Sequence, residues 1–274
     1  MRRIGCHVSI AGGVFKAPER AAELGCEVFQ MFSRSPQGGA APKITPEIEL
    51  AFKEEMIKHK QKECFIHAPY YINFASSNKA IRSSSARIVR EELERGSQIG
   101  AQYVMFHPGS AKDMDRNEAL KITAEGVAKI MDSYKGSTEL LLEISAGTGN
   151  VMGDTFEELE SIITMSGYNL GICIDSAHMF ASGYDIKTQE GFKKTLSAIS
   201  KTVGKSAIKL IHANDSKIEL GGRRDRHDHI GAGKIGREGF EHLMDEFNLD
   251  FILETEHDKV KEDIIVLKNL RSNL

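Results

Sequence analysis

The segment Gly171–Asp185, GICIDSAHMFASGYD, places a carboxylate and an imidazole where a strand should end. Ile172, Cys173 and Ile174 form an apolar run too short for a helix, and glycine precedes it, so it reads as a buried strand. The run stops at Asp175, and His178 follows three residues later. Such groups at the tip of a buried strand are costly to desolvate unless something pairs them, and a divalent cation is one such partner. The plainer alternative is a helix-capping aspartate beside a surface histidine. This segment alone does not choose between them.

Recurrence of the pattern does. Cys64–Ile66 runs into His67, Tyr103–Phe106 into His107, and Leu140–Leu142 into Glu143. Ala207–Ile211 runs into His212 and Phe251–Leu253 into Glu254. A single strand-end histidine is usually a satisfied core residue. Ligand-type residues closing six successive strands are not explained that way. The polar loop after the seventh strand, GGRRDRHDHIGAGKIG, adds Asp225 and His227, which share one side of an extended chain. An Asx turn with solvated charge is the plainer account of that loop.

With His178 the candidates are five imidazoles (His67, His107, His178, His212, His227) and four carboxylates (Glu143, Asp175, Asp225, Glu254). Zinc takes about four ligands, so this set, with shared carboxylates and positions left for water, suits three ions. The imidazole-rich mix favours zinc, with manganese or iron as substitutes, over magnesium. Three divalent ions outweigh four carboxylates and make a positive pocket. That pocket suits an anionic substrate such as a phosphodiester, because closely spaced ions activate water and stabilise both attacking and leaving oxygens.

The elements that must position these groups alternate. Strand patterns at Arg3–Val8 and Glu27–Phe32 precede the six above. Between strands lie amphipathic segments: Val14–Leu24 stopped by Gly25, a helix opened by Thr45 and Pro46, and a long helix closing at Gly100. Leu120, Ala124, Val127 and Ile130 mark the next helix by their period. Thr155-Phe156-Glu157-Glu158 reads as a capping box, and helices over Gln189–Val203, Glu238–Phe247 and Val260–Leu270 complete the series. Eight strand–helix units predict an α/β fold closed as a (β/α)8 TIM barrel, one domain over residues 1–274. All strand C-termini then share one face, where barrel active sites lie. An open doubly wound sheet is weakened by the lack of GxGxxG after the first strand.

Composition agrees. The chain has 274 residues, 41% hydrophobic and 27% charged, which is ordinary for a soluble protein. No apolar run reaches membrane-spanning length, and the N-terminal pattern goes straight into a strand, so a cytoplasmic protein is expected. Four scattered cysteines form no CxxC pair, which suits buried free thiols. A net charge of -3 excludes a globally basic nucleic-acid binder and requires locally focused positive charge instead.

At this point the motifs carry a resemblance. IGCHVSIAGG, HAPYYIN, FHPGS, LLEISAGTG, CIDSAHMFASGYD, HANDSK, DRHDHIGAGKIG and LET, in that order, resemble the endonuclease IV family of zinc-dependent apurinic/apyrimidinic endonucleases over essentially the whole chain. The resemblance implies a trinuclear zinc site and hydrolysis of the phosphodiester 5′ to an abasic site. The products would be a 3′-hydroxyl and a 5′-deoxyribose phosphate, and blocked 3′ ends would be trimmed. It implies that His67 and His107 hold one ion, which Glu143 bridges to a second held by Asp175, His212 and Glu254. His178, Asp225 and His227 would hold the third, beside the leaving 3′-oxygen. A bridging hydroxide, fixed by Glu143 and Glu254 as the catalytic carboxylates, would be the nucleophile. The implied partner is double-stranded DNA with abasic sites or blocked 3′ ends, bound by a monomer.

Tyr70, Asn73, Arg34, Gln37 and Arg226 are the candidate DNA contacts. Tyr70 matches an aromatic able to wedge into a base stack. The chain departs from the family in the loop FSRSPQGG, where Gln37 replaces an arginine and glycine an aromatic residue, with Arg34 as the candidate compensation. Ile144 replaces a common asparagine, Ala177 a common cysteine, and Glu256-His257 a usual proline. His229 and His257 are extra rim histidines outside the ligand set. The rival reading is a sugar or sugar-phosphate isomerase on a related barrel, which would need fewer histidines; the discriminating set is His178, Asp225 and His227.

Overall fold

The computed structural model describes residues 2–112 and 114–274. Eight parallel strands close a barrel: β1 Ile4–His7, β2 Val28–Met31, β3 Cys64–His67, β4 Tyr103–Phe106, β5 Glu139–Glu143, β6 Gly171–Asp175, β7 Ile208–His212 and β10 Asp250–Leu253. Each pairs with its sequence neighbour in the ring, and β1 closes it by pairing β2 on one side and β10 on the other. A two-stranded antiparallel ribbon, β8 Asp215–Ser216 with β9 His227–Asp228, stands outside the barrel. The open-sheet alternative is thereby excluded.

The helices follow the expected order with trimmed ends. They are α1 Ala17–Leu24, α2 Pro46–Lys58, α3 Lys79–Ile99, α4 Arg116–Met131, α5 Phe156–Ser166, α7 Gln189–Lys201, α8 Arg237–Glu246 and α9 Val260–Ser272. Val14–Lys16, expected as the first turn of α1, is a separate 3-10 turn. The short helix α6, Ser176–Ala181, has no counterpart in the sequence pattern; it begins directly at the tip of β6 and carries His178. Thr45 and Thr155 cap their helices by accepting from Ile48 N and Glu158 N, as their sequence positions require. The reciprocal arm of the capping box is not formed. The Glu158 carboxylate instead accepts from Gly153 N and pairs with Arg116.

Two apolar cores hold the barrel, and a small third cluster of Ala75, Ala111, Ala119 and Met152 packs outside them. The larger lies between strands and helices. The smaller fills the barrel with Val28, Phe65, Tyr103, Met105, Leu141, Cys173, Leu210 and Ile252. β1 contributes Gly5 at this level, where a Cβ would overlap the Val28 carbonyl, so only glycine lets the two strands approach this closely. Side chains two apart on a strand point to the same face. Two residues beyond Phe65, Met105, Leu141, Cys173, Leu210 and Ile252 stand His67, His107, Glu143, Asp175, His212 and Glu254. Inward-facing apolar residues therefore carry the polar ring at the mouth. No helix among the described residues is long and apolar enough to cross a membrane.

Candidate metal centre at the barrel mouth

Glu143 occupies the middle of the ring and is fully buried. Its Oε2 lies 3.1 Å from His67 Nε2 and 3.6 Å from His107 Nε2. Its Oε1 lies 3.0 Å from His212 Nδ1, which is also 3.3 Å from Glu254 Oε2. On the far side, Asp225 Oδ1 is 3.3 Å from His178 Nε2 and 3.2 Å from His227 Nε2, and the latter is 3.7 Å from Asp175 Oδ2. All nine residues expected to converge do so. Among the described residues, four overlapping groups have one donor atom per residue within 4.8 Å of the others: His67, His107 and Glu143; Glu143, Cys173 and His212; Glu143, Asp175, His212 and Glu254; and Asp175, His178 and His227.

Neighbouring groups decide which ring nitrogen faces the centre. His67 Nδ1 donates to Ala68 O at 2.6 Å, and His178 Nδ1 donates to Ile144 O at 3.0 Å. Their Nε2 atoms are left for the site, an arrangement that fixes the tautomer of a metal-ligating imidazole. Because Ile144 acts through its carbonyl, its side chain is free to differ. Asp175 is oriented twice: it caps α6 by accepting from His178 N at 2.8 Å, and it accepts from Asn214 Nδ2 at 2.6 Å. Asn214 Oδ1 in turn accepts from Glu254 N at 2.8 Å. Asn214 is a buried organiser of two site residues that ligand chemistry alone did not single out.

The electrostatics fit cations. Burial lowers the basicity of His178, but Asp175 and Asp225 outweigh it and push the imidazole up to about 10. Burial pushes His107 down to about 4, with Glu143 opposing. Burial raises Glu143, but His107 and His212 more than reverse it and hold the carboxyl well below its usual range. Glu254 is likewise held down to about 2, mainly by His212 against the effect of burial. Desolvated carboxylates thus share the mouth with imidazoles, and positive charge placed among them is favoured. His178 Nε2 and His227 Nε2 face each other at 3.4 Å beside Asp225, a contact better satisfied by a shared ion than by two ring nitrogens. The donor set therefore fits divalent ions. Imidazole with carboxylate suits zinc, manganese or iron.

The candidate DNA contacts separate. Tyr70 projects from the rim at 63% exposure, its ring 5.2 Å from those of Phe32 and His67. Gln37 and Arg226 are exposed, and Arg226 lines the mouth with Arg224. Arg34 departs from expectation: it is buried, its guanidinium paired with Glu92 and Glu91 of α3, so its charge is already neutralised. Asn73 borders the cleft, but its amide is engaged by main chain. Oδ1 accepts from Ala75 N and Ser110 N, and Nδ2 donates to Ser110 O, each at 3.0 Å. It staples the loop after β3 to the loop after β4. The extra histidines are also occupied: His229 lies 2.7 Å from Asp263, and His257 Nε2 donates to His7 O at 2.9 Å.

The chain is also similar to known proteins in sequence and fold. Residues 18–270 match the model of a family described as a xylose isomerase-like TIM barrel. The chain is 39% identical to a probable endonuclease 4 of Aquifex aeolicus, covering 100% of this chain and 99% of the relative. It is 36% identical to a probable endonuclease 4 of Carboxydothermus hydrogenoformans, covering 99% and 97%. Among solved structures it is similar to endonuclease IV from Thermus thermophilus, with a TM-score of 0.89 and 30% identity over 99% of this chain and 100% of that one. A D-tagatose 3-epimerase-like protein, at 20% identity and a TM-score of 0.75 over 99% of this chain and 97% of that one, shares the fold.

Proposed function

The chain belongs to the endonuclease IV family of xylose isomerase-like barrels, and on that premise we propose that it hydrolyses the phosphodiester 5′ to an abasic site in double-stranded DNA. The products are a 3′-hydroxyl and a 5′-deoxyribose phosphate, and blocked 3′ ends are trimmed at the same site. The observation that carries this reading is the convergence of nine imidazole and carboxylate groups on one mouth, including the His178, Asp225 and His227 set that separates it from the isomerase alternative.

Three divalent ions, with zinc the best match, are proposed for the centre. His67 and His107 hold one with Glu143 shared, Asp175, His212 and Glu254 another, and His178, Asp225 and His227 the third. Such ions supply a water acidic enough to attack near neutral pH and positive charge for the oxygens of the scissile phosphate. The chain's own residues supply the geometry. Glu143 and Glu254 are the carboxylates proposed to orient the attacking water; both lie close to His212 Nδ1, at 3.0 and 3.3 Å. Arg224 and Arg226 line the cleft with positive charge that draws in a phosphate backbone. Tyr70 offers an exposed ring beside His67, suited to stacking in the gap left by a missing base.

The test is incision of a duplex oligonucleotide carrying one abasic site, with and without a strong chelator, together with elemental analysis. Expected are chelator-sensitive nicking with a 3′-hydroxyl product and about three ions per chain, given roughly four donors per zinc with sharing. No incision and a single bound ion would favour the isomerase alternative.

A further inference from the structure

Six barrel strands carry a proposed ligand as their last residue or one position beyond it, and the other two carry His7, the last residue of β1, and Gln30, one position before the end of β2. They share the parity of the ring: His7 lies two residues beyond Gly5, and Gln30 two beyond Val28. Gln30 is fully buried. Its carboxamide crosses the mouth to strands that are not its neighbours, since β1 and β10 lie between β2 and β7 in the ring. Nε2 donates to Glu254 Oε1 at 2.6 Å and to His7 Nδ1 at 3.1 Å. Oε1 accepts from His212 Nε2 at 2.8 Å.

The orientation of this amide follows from its partners. An ionised carboxylate can only accept, so the NH2 end must face Glu254. The oxygen then faces His212, and that ring must carry a proton on Nε2. Its other nitrogen, Nδ1, is the one that lies between Glu143 Oε1 and Glu254 Oε2. A flipped amide would set oxygen against carboxylate and NH2 against N–H. His67 and His178 are oriented by main-chain carbonyls. For His212, the group that bonds the ring nitrogen turned away from the centre is a side chain.

We propose that Gln30 is a positioning residue of the metal centre: one buried carboxamide fixes the ring nitrogen that His212 offers and the rotamer of Glu254, so both face the same ion. The inference rests on the metal-centre reading above. It explains why a glutamine is buried among ligand-type residues without being a ligand.

The test compares the native protein with Gln30→Met, which removes both bonds at similar size, and Gln30→Glu. The second variant keeps an acceptor toward His212 but opposes Glu254 with like charge. Each is stripped of metal and titrated with zinc against a competing chelator. Both variants are expected to lose about 10- to 100-fold in affinity, the usual effect of removing a group that orients a ligand. In nitrogen-15 spectra of the zinc-loaded proteins, a protected His212 Nε2–H signal is expected in the native protein and Gln30→Glu and is absent from Gln30→Met. If Gln30→Met does not fold, the affinity of Gln30→Glu decides. Variants that bind zinc as tightly as the native protein overturn the role of Gln30 and leave the metal centre standing. A native protein that binds no zinc removes both.

Discussion

Arg223 Nη2 lies 2.6 Å from Asp154 Oδ2, and this ion pair ties the loop bearing Asp225 and His227 to the loop after β5. Asp154 is buried, and its other oxygen is taken by Arg116 from the start of α4. Arg223 adopts a left-handed backbone, φ 53, which is uncommon for a residue with a side chain. Gly147 makes room for it: a Cβ there would sit 3.1 Å from both Arg223 Cζ and Asp154 Oδ2. Main-chain bonds from Gly221 N to Phe180 O and Arg223 N to Ala181 O, each 2.9 Å, add a second attachment to α6. Because α6 carries His178, the three residues proposed for the third ion are positioned by one connected unit.

Arg223→Ala should loosen that unit without unfolding the barrel. Asp154 keeps Arg116 and the Arg223 side chain is half exposed, so the expected loss is about 1 kcal/mol or less, as for a screened ion pair. Hydrogen exchange should accelerate over residues 221–229, and incision should fall with it. Exchange identical to the native protein in that loop would show that the main-chain bonds alone hold it.

Glu143→Gln should reduce incision by about 100-fold or more, the scale on which loss of preorganised charge acts. The amide keeps the shape of the side chain but loses its charge. It also sets one NH2 against either His212 Nδ1 or the imidazoles of His67 and His107. The melting temperature is the control. A variant that nicks abasic DNA at the native rate would remove Glu143 from the proposed role.

Acid should weaken the seam where the chain's ends meet. Glu27 Oε2 accepts from Ile4 N at 2.9 Å and from Arg271 Nη1 at 2.6 Å, linking β1, the start of β2 and α9. Burial raises its pKa, but the bonds from Arg271 and Ile4 outweigh this and hold it below 4.5. The unfolded chain therefore binds this proton first as pH falls. The stabilisation is fully present above the unfolded value and is lost as pH drops through the folded one. Denaturant melts should show Glu27→Gln weaker near neutrality by under about 1 kcal/mol, as for a partly exposed pair. The difference should close in acid. A gap that persists at low pH would assign the loss to packing.

The ligand ring was legible because strand parity is a local property. Phe65 and His67, or Leu141 and Glu143, reveal their shared face within three residues. Relationships made across the barrel were not legible in the same way. Gln30 has no ligand chemistry, so only its bonds to His212 and Glu254 expose it. Arg34 sits in a loop that resembles a DNA contact, but Glu92, buried on α3, captures it. The capping sequence at Thr155 offered Glu158 a local partner, and Arg116 from α4 won the competition. Residue type announced which groups could do chemistry; long-range pairing decided which remained free to do it.

Arg226 should contribute to DNA affinity through charge alone. It is exposed at the mouth of the cleft, and Nη1 donates to the Asp225 carbonyl at 2.7 Å, which leaves the guanidinium charge unpaired by any described carboxylate. A cation in contact with backbone phosphate releases counterions, and each such contact adds about 0.9 to the slope of log affinity against log salt. Arg226→Ala should therefore flatten that slope by about 1 and weaken binding to abasic and intact duplex alike. Fluorescence anisotropy across a salt series measures both quantities. An unchanged slope with selective loss of abasic binding would instead make Arg226 a reader of the lesion.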